Sequence, residues 1–313
     1  MNKHSSIKSA GSLLERASEI YDFGAALRGG SAPFEPSEVI VEPAITQPVL
    51  TPVAQPTVAH KPMAARPASN KFAQISRERL AANNFIVPDG AVTGLSEEFR
   101  IVKRQLLLAA RGGKGFDALP HGERILVCSA HPNEGKTFCA INLALSMASE
   151  KDNRVLLVDA DFAKPSVLST LGIESSRGFM DALADPTCDA ESFIIETDVE
   201  GLSILPAGAQ TNQDTEYLAA SRTAAIIDQL TRNDPSRIII FDSPPALAAS
   251  PASVLALHVG QTLMVVHADV TTDSALRDAL SLLSGCEHVQ LLLNRAKFSP
   301  TGRKFGNYYG YGA

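Results

Sequence analysis

The chain has 313 residues, 45% hydrophobic and 20% charged, with 19 Pro and 21 Gly. That is apolar enough to bury a core, which excludes a wholly disordered chain, and long enough for one large domain or two ordinary ones. A net charge of -6 runs against a protein held mainly by nucleic-acid phosphates.

The charge is segmented. Residues 1–90 hold 9 Lys and Arg against 8 Asp and Glu, net +1, and the remainder is net -7. From Arg295 to Ala313 there are four basic residues and no acidic one, so the acidity belongs to residues 91–294. Cys128, Cys139, Cys188 and Cys286 show neither C-x-x-C spacing nor a His partner at zinc-ligand spacing. They read as small core residues of a reducing compartment. Residues 1–30 contain no continuous apolar segment of the signal-peptide kind. The longest charge-free stretch, Ser243 to Ala268, is broken by Pro244, Pro245 and Pro251, so no transmembrane helix is expected and the chain reads as soluble and cytoplasmic.

In chain order, residues 11–28 have apolar spacing compatible with a short amphipathic helix. It serves either as a docking element or as a frayed terminal helix. Eight prolines fall within residues 31–70, a density that removes amide donors and blocks helix and sheet. The disordered N-terminal segment thus divides into residues 1–30 and a Pro-rich linker taken as 31–90. Residues 95–110 read as a helix with Ser96 as cap, Glu97 and Glu98 in the first turn, and Phe99, Val102, Leu106 and Leu107 as its apolar stripe. A glycine-rich loop follows at 111–122. Buried strands are expected at 124–130, 154–160, 237–243, 261–269 and 289–295, with helices at 136–149, 214–230 and 272–284. Continuous apolar strands separated by helices predict an α/β fold, a doubly wound, mostly parallel sheet, with its ligand site at the carboxyl ends of the strands. Residues 91–294 form this domain and 295–313 a basic tail.

The strand RILVCS runs into Ala130-His131-Pro132-Asn133-Glu134-Gly135-Lys136-Thr137 and then a helix, close to the P-loop pattern G-x-x-x-x-G-K-[ST]. Backbone amides at such a helix start wrap an anion, a lysine reaches the β- and γ-phosphates, and a threonine hydroxyl ligates Mg²⁺. Ala130 stands where the first Gly is usual. Two strands end in carboxylates, Val158-Asp159-Ala160-Asp161 and Asp242-Ser243-Pro244-Pro245. These lie at the sheet edge that carries the loop, where carboxylates hold Mg²⁺ or accept a proton. At the end of the chain, three of the five tyrosines, Tyr308, Tyr309 and Tyr311, fall within the last six residues among glycines. Their phosphorylation would reverse the sign of the basic tail.

HPNEGKT, VLLVDAD and IIIFDSPP resemble the bacterial tyrosine kinases of capsule and exopolysaccharide synthesis, most nearly the cytoplasmic exosortase-associated tyrosine autokinases. The resemblance covers about residues 95–313. It implies a P-loop NTPase fold and an ATP-dependent protein-tyrosine autokinase with ATP and Mg²⁺ as cofactors. It places Asn133, Glu134, Gly135, Lys136, Thr137 and Phe138 around the nucleotide, with Asn294 at the adenine. It makes Lys136, Asp159, Asp161 and Asp242 catalytic, with Thr137, Asp159 and Asp242 at the metal. One of Asp159 and Asp161 lies near the metal and the other near the tyrosine hydroxyl. Tyr308, Tyr309 and Tyr311 become phosphoacceptors, acting on a neighbouring subunit. The oligomerisation motif E-x-x-R-x-x-R appears as Glu97-x-x-Arg100-x-x-Lys103, which points to a homo-oligomer, a ring in the family, although Lys cannot make the planar fork of Arg. The family further implies a membrane partner that controls polysaccharide chain length, no nucleic acid, and a cytoplasmic protein held at the inner membrane through that partner. Two alternatives share parts of this pattern: a Min/Par-type ATPase switch, and a nucleotide-binding scaffold of a polysaccharide assembly complex. The first uses a second, early lysine where this chain has His131, and it lacks a tyrosine tail.

Overall fold

Eight strands form one sheet in the order β1-β4-β5-β3-β6-β2-β7-β8. The computed structural model describes residues 71–174 and 176–297, all within the compact unit Ala64–Ala313. The strands are β1 (Phe72–Ala73), β2 (Arg124–Ser129), β3 (Arg154–Asp159), β4 (Ile195–Thr197), β5 (Leu202–Leu205), β6 (Arg237–Asp242), β7 (Gln261–His267) and β8 (Val289–Asn294). The helices are α1 (Arg77–Ala82), α2 (Gly94–Arg111), α3 (Lys136–Ala148), α4 (Val167–Leu171), α5 (Phe179–Ala184), α6 (Asp214–Ala219), α7 (Ser221–Asn233), α8 (Pro251–Leu255) and α9 (Asp273–Leu282). All pairings are parallel except β4 with β5.

The runs RILVCS and RIIIFD are buried at every position because helices cover both faces of the sheet. Alternate residues point to opposite faces. Leu126, Leu156, Ile239 and Phe241 join the core beneath α5 to α9. Ile125, Val127, Val155, Leu157 and Ile240 join the core beneath α1 to α4. Cys128, Cys139 and Cys286 are buried and free, as expected of small core residues, and Cys188 is half-buried.

Four features depart from the sequence expectations. Residues 71–90 are not linker. β1 pairs with β4, Leu80 is buried, and the Ile86 amide donates to Asn142 Oδ1 on α3 at 2.8 Å. Phe85 stacks on Phe138 with ring centroids 4.8 Å apart. These apolar anchors outweigh the flexible composition upstream of them. Secondly, α2 is capped by Thr93, whose Oγ1 accepts the Ser96 amide at 3.2 Å while Ser96 Oγ accepts the Thr93 amide at 2.8 Å. Ser96 is therefore the reciprocal partner rather than the cap. Thirdly, the helix expected at 214–230 breaks at Ala220, whose extended backbone (ψ 149°) separates α6 from α7. Fourthly, α4, α5, β4 and β5 fill residues 160–213, where short elements left no readable period. The calls on residues 1–70 and on Tyr308, Tyr309 and Tyr311 lie outside the described residues.

Candidate active site

β2 delivers the chain to the loop Ala130–Gly135, and α3 begins at Lys136 with no side-chain cap at its N terminus. Its first amides are thereby left to meet an anion. Gly135 has φ 98°, and a Cβ there would stand 2.2 Å from Asn294 Nδ2, so backbone conformation and space both demand glycine. Ala130 is buried in place of the usual first glycine. The loop is tied to the segment after β6, since Ser129 O accepts the Ala246 amide at 2.8 Å and Ala130 O the Leu247 amide at 3.2 Å.

Three carboxylates and one ammonium gather beside it. β3 and β6 are in register at their ends, with Asp159 opposite Asp242. Lys136 Nζ lies 3.0 Å from Asp161 Oδ2. Asp161 Oδ1 accepts the Lys164 amide at 3.2 Å. Both Asp159 oxygens accept backbone amides: Oδ1 from Asp161 at 3.3 Å, and Oδ2 from Ser166 and Val167 at 3.0 Å each. Burial pushes its carboxyl up to about 6 despite those bonds. Asp242 is fully buried, and neither of its oxygens meets a hydrogen-bond partner. Burial raises it to about 7, although the Lys136 charge and the nearby Thr137 hydroxyl pull the other way. A desolvated, unpartnered carboxylate beside an anion-binding loop is the environment a cation would satisfy. Among the described residues no set of three or more His, Cys, Asp or Glu surrounds one metal position. A cation here would take its other ligands from the Thr137 hydroxyl, phosphates and water.

A cleft of about 590 Å³ opens over these groups. Of the expected residues, Asn133, Gly135, Lys136, Thr137, Phe138 and Asp161 line it. Asp242 is buried close to Lys136 and Thr137 of the cleft, and Asp159 lines a separate small cavity with Pro165, Leu168 and Gly208. Two further residues expected at the nucleotide make bonds to the loop. The Glu134 side chain is only 2% exposed and turns away from the cleft, with Oε2 accepting the His131 amide at 2.9 Å. Asn294 Nδ2 donates to Glu134 O at 2.9 Å and Asn294 Oδ1 accepts the Arg295 amide at 2.9 Å, so its amide braces the loop. Lys164, Ser166 and Arg295 line the cleft without having been singled out. Their basic and hydroxyl side chains just past strand ends were the available signal. A second cleft of about 490 Å³, lined by Arg100, Glu150 and Asp198 among others, holds none of the catalytic candidates.

The oligomerisation triplet is divided. Glu97 and Arg100 form an ion pair on the outer face of α2. Lys103 is buried, with Nζ 2.8 Å from Ser146 O and 3.0 Å from Glu150 Oε1, so it caps the C-terminal end of α3 instead of facing a neighbour. It stands on the buried stripe of α2 with Phe99 and Leu106.

Parallel sheet, glycine-pivoted loop and paired acidic strand ends define a P-loop NTPase fold. A family model described as an AAA domain matches residues 124–296, and the chain belongs to that family. Its relatives include bacterial proteins named as tyrosine-protein kinases. Tyrosine-protein kinase Wzc of Salmonella typhimurium is 30% identical over 190 residues, 60% of this chain and 26% of that protein. CapB of Staphylococcus aureus is 25% identical over 240 residues, 76% of this chain and 99% of CapB. The chain thus spans nearly all of CapB but only about a quarter of Wzc. The kinase domain of the Escherichia coli tyrosine kinase ETK has the same fold, with a TM-score of 0.56 at 22% identity over 72% of this chain and 92% of that domain. No helix among the described residues is long and apolar enough to cross a membrane.

Proposed function

We propose that this protein is an ATP-dependent protein-tyrosine autokinase of exopolysaccharide synthesis or export that phosphorylates its own C-terminal tyrosines in a neighbouring subunit. The observation that carries the reading is the buried Asp242, whose oxygens have no hydrogen-bond partner, close to Lys136 and Thr137 of the strand–GKT–helix loop. The loop amides and the Lys136 ammonium hold the triphosphate. Asp242 and the Thr137 hydroxyl would hold Mg²⁺, directly or through water, and the ion would supply charge neutralisation to the phosphates. Asp161 lines the cleft, whereas both oxygens of Asp159 are engaged by backbone amides. Asp161 is therefore the residue assigned to the acceptor tyrosine, and Asp159 the one that orders the segment leading to α4. The tyrosine oxygen attacks the γ-phosphorus, the bond to the β,γ-bridging oxygen breaks, ADP leaves, and the hydroxyl proton passes to Asp161. A membrane protein that controls polysaccharide chain length is the proposed partner, holding the kinase at the inner membrane. Glu97 and Arg100 are the proposed contacts to other copies.

The test is the full chain expressed alone, incubated with ATP and Mg²⁺, with phosphotyrosine blotting and mass spectrometry of the tail. Phosphate is expected on Tyr308, Tyr309 and Tyr311, and Lys136→Met should abolish it while the melting temperature is retained. Undiminished phosphotyrosine in that variant, or tightly bound ATP that never transfers, would overturn the assignment.

A further inference from the structure

Glu134 is an unusual side chain for a phosphate-binding loop: a carboxylate in a segment built to attract anions. Its neighbours on either side, Asn133 (φ 65°) and Gly135 (φ 98°), are both left-handed. That pair of turns directs the Glu134 side chain under the loop instead of into the cleft. There it is buried and makes two bonds. Oε2 accepts the His131 amide at 2.9 Å, which closes the loop on itself. Oε1 accepts the hydroxyl of Thr271, a residue between β7 and α9. Thr271 is held in turn, because its Oγ1 accepts the His267 amide at 2.9 Å. From the other side Asn294, at the end of β8, donates to the Glu134 carbonyl at 2.9 Å. Glu134 is thus clamped from the ends of two successive strands, through its carboxylate and through its backbone.

We infer that Thr271 and Glu134 form a positioning pair, anchoring the phosphate loop to the β7–α9 connection so that the loop amides are set for a nucleotide before it binds. The inference rests on reading the cleft as a nucleotide site. It adds to that reading a residue, Thr271, that lies 136 positions from Gly135 of the loop in sequence and does not line the cleft. The physical reason is preorganisation. Ala130 replaces a glycine at the loop's start, and a loop of otherwise free amides binds phosphate weakly unless its conformation is fixed in advance. A hydrogen bond to a buried carboxylate is among the stronger ones available for that purpose. Neither Glu134 nor Thr271 touches the reacting atoms, so both act through the loop.

The experiment uses the full chain with ADP and Mg²⁺ as the probe. Thr271→Val removes the hydroxyl and keeps the shape, and Thr271→Ser keeps the hydroxyl. Thr271→Val is expected to raise the Kd for ADP and the KM for ATP about tenfold, the size of one lost bond to a charged group, with kcat changed less than about twofold. Thr271→Ser should return both constants to near wild type. Asn294→Ala, at a half-buried position that tolerates truncation, should weaken ADP in the same direction and so covers the case in which Thr271→Val fails to fold. Wild-type ADP affinity in a folded Thr271→Val, or in Asn294→Ala should Thr271→Val not fold, would overturn the inference and leave the nucleotide reading intact. A wild-type chain that binds no ADP would overturn the nucleotide reading itself.

Discussion

Asp242 gives the sharpest stability prediction. It ends β6 fully buried, with neither oxygen partnered. Burial lifts its pKa from 3.8 to about 7, and Asp159 and Asp161 add repulsion. A folded value above the unfolded one means that the folded protein holds the proton more tightly. This group's contribution is therefore most favourable below about pH 4 and is lost as pH rises toward about 7. The full rise corresponds to about 4 kcal/mol, and relaxation with water entry brings the expected effect nearer to about 2 kcal/mol. Asp242→Asn removes the charge at nearly constant shape. In metal- and nucleotide-free buffer the variant should be more stable than wild type at about pH 8 by about 2 kcal/mol, or about 4–8 °C in Tm, and nearly equal to it only at about pH 4 or below. Asp159, raised to about 6 by burial, leaves a smaller slope in both proteins. The assay is denaturant unfolding across that pH range. Parallel curves for the two proteins would refute the claim that Asp242 is a desolvated, unpaired carboxylate. Phosphotyrosine should be lost in the same variant, since stability and activity pull this residue in opposite directions.

Lys103→Met keeps the buried stem but removes the bonds to Ser146 O and Glu150. It should lower stability by about 2 kcal/mol, with particle size by light scattering unchanged; an unchanged Tm with smaller particles would restore Lys103 to an interface role. Phe85→Ala deletes the ring stacked on Phe138 and should cost about 2 kcal/mol by chemical denaturation, less than a fully buried Phe because the site is half-buried. A silent substitution there would return residues 71–90 to the linker.

Local chemistry made much of this protein legible in one dimension. Five of the eight strands are unbroken aliphatic runs, and such runs between helices have few folds open to them. The GKT helix start, Asp159, Asp161 and Asp242 announced themselves because a phosphate site draws its groups from strand ends and from the loop immediately following a strand. Other features depended on contacts between distant residues. Whether Ala220 continues a helix or breaks it is decided by how α6 and α7 pack on the sheet, not by its own helix propensity. Phe85 and Ile86 have no periodic pattern around them, yet α3 gives them a ring to stack on and an amide oxygen to bond. Lys103 carries a motif's charge, but it stands at i+4 from Phe99 and i−3 from Leu106, on the buried stripe of α2, where it meets the carboxyl end of α3. Asn294 ends an ordinary strand and Thr271 stands in a loop, and only the pairing of β7 with β2 and of β8 with β7 brings them to Glu134. Side chains whose partners lie within a few residues can be read from sequence. Those whose partners lie across the sheet take their roles from the tertiary structure, because it decides which of many possible polar neighbours is within hydrogen-bond reach.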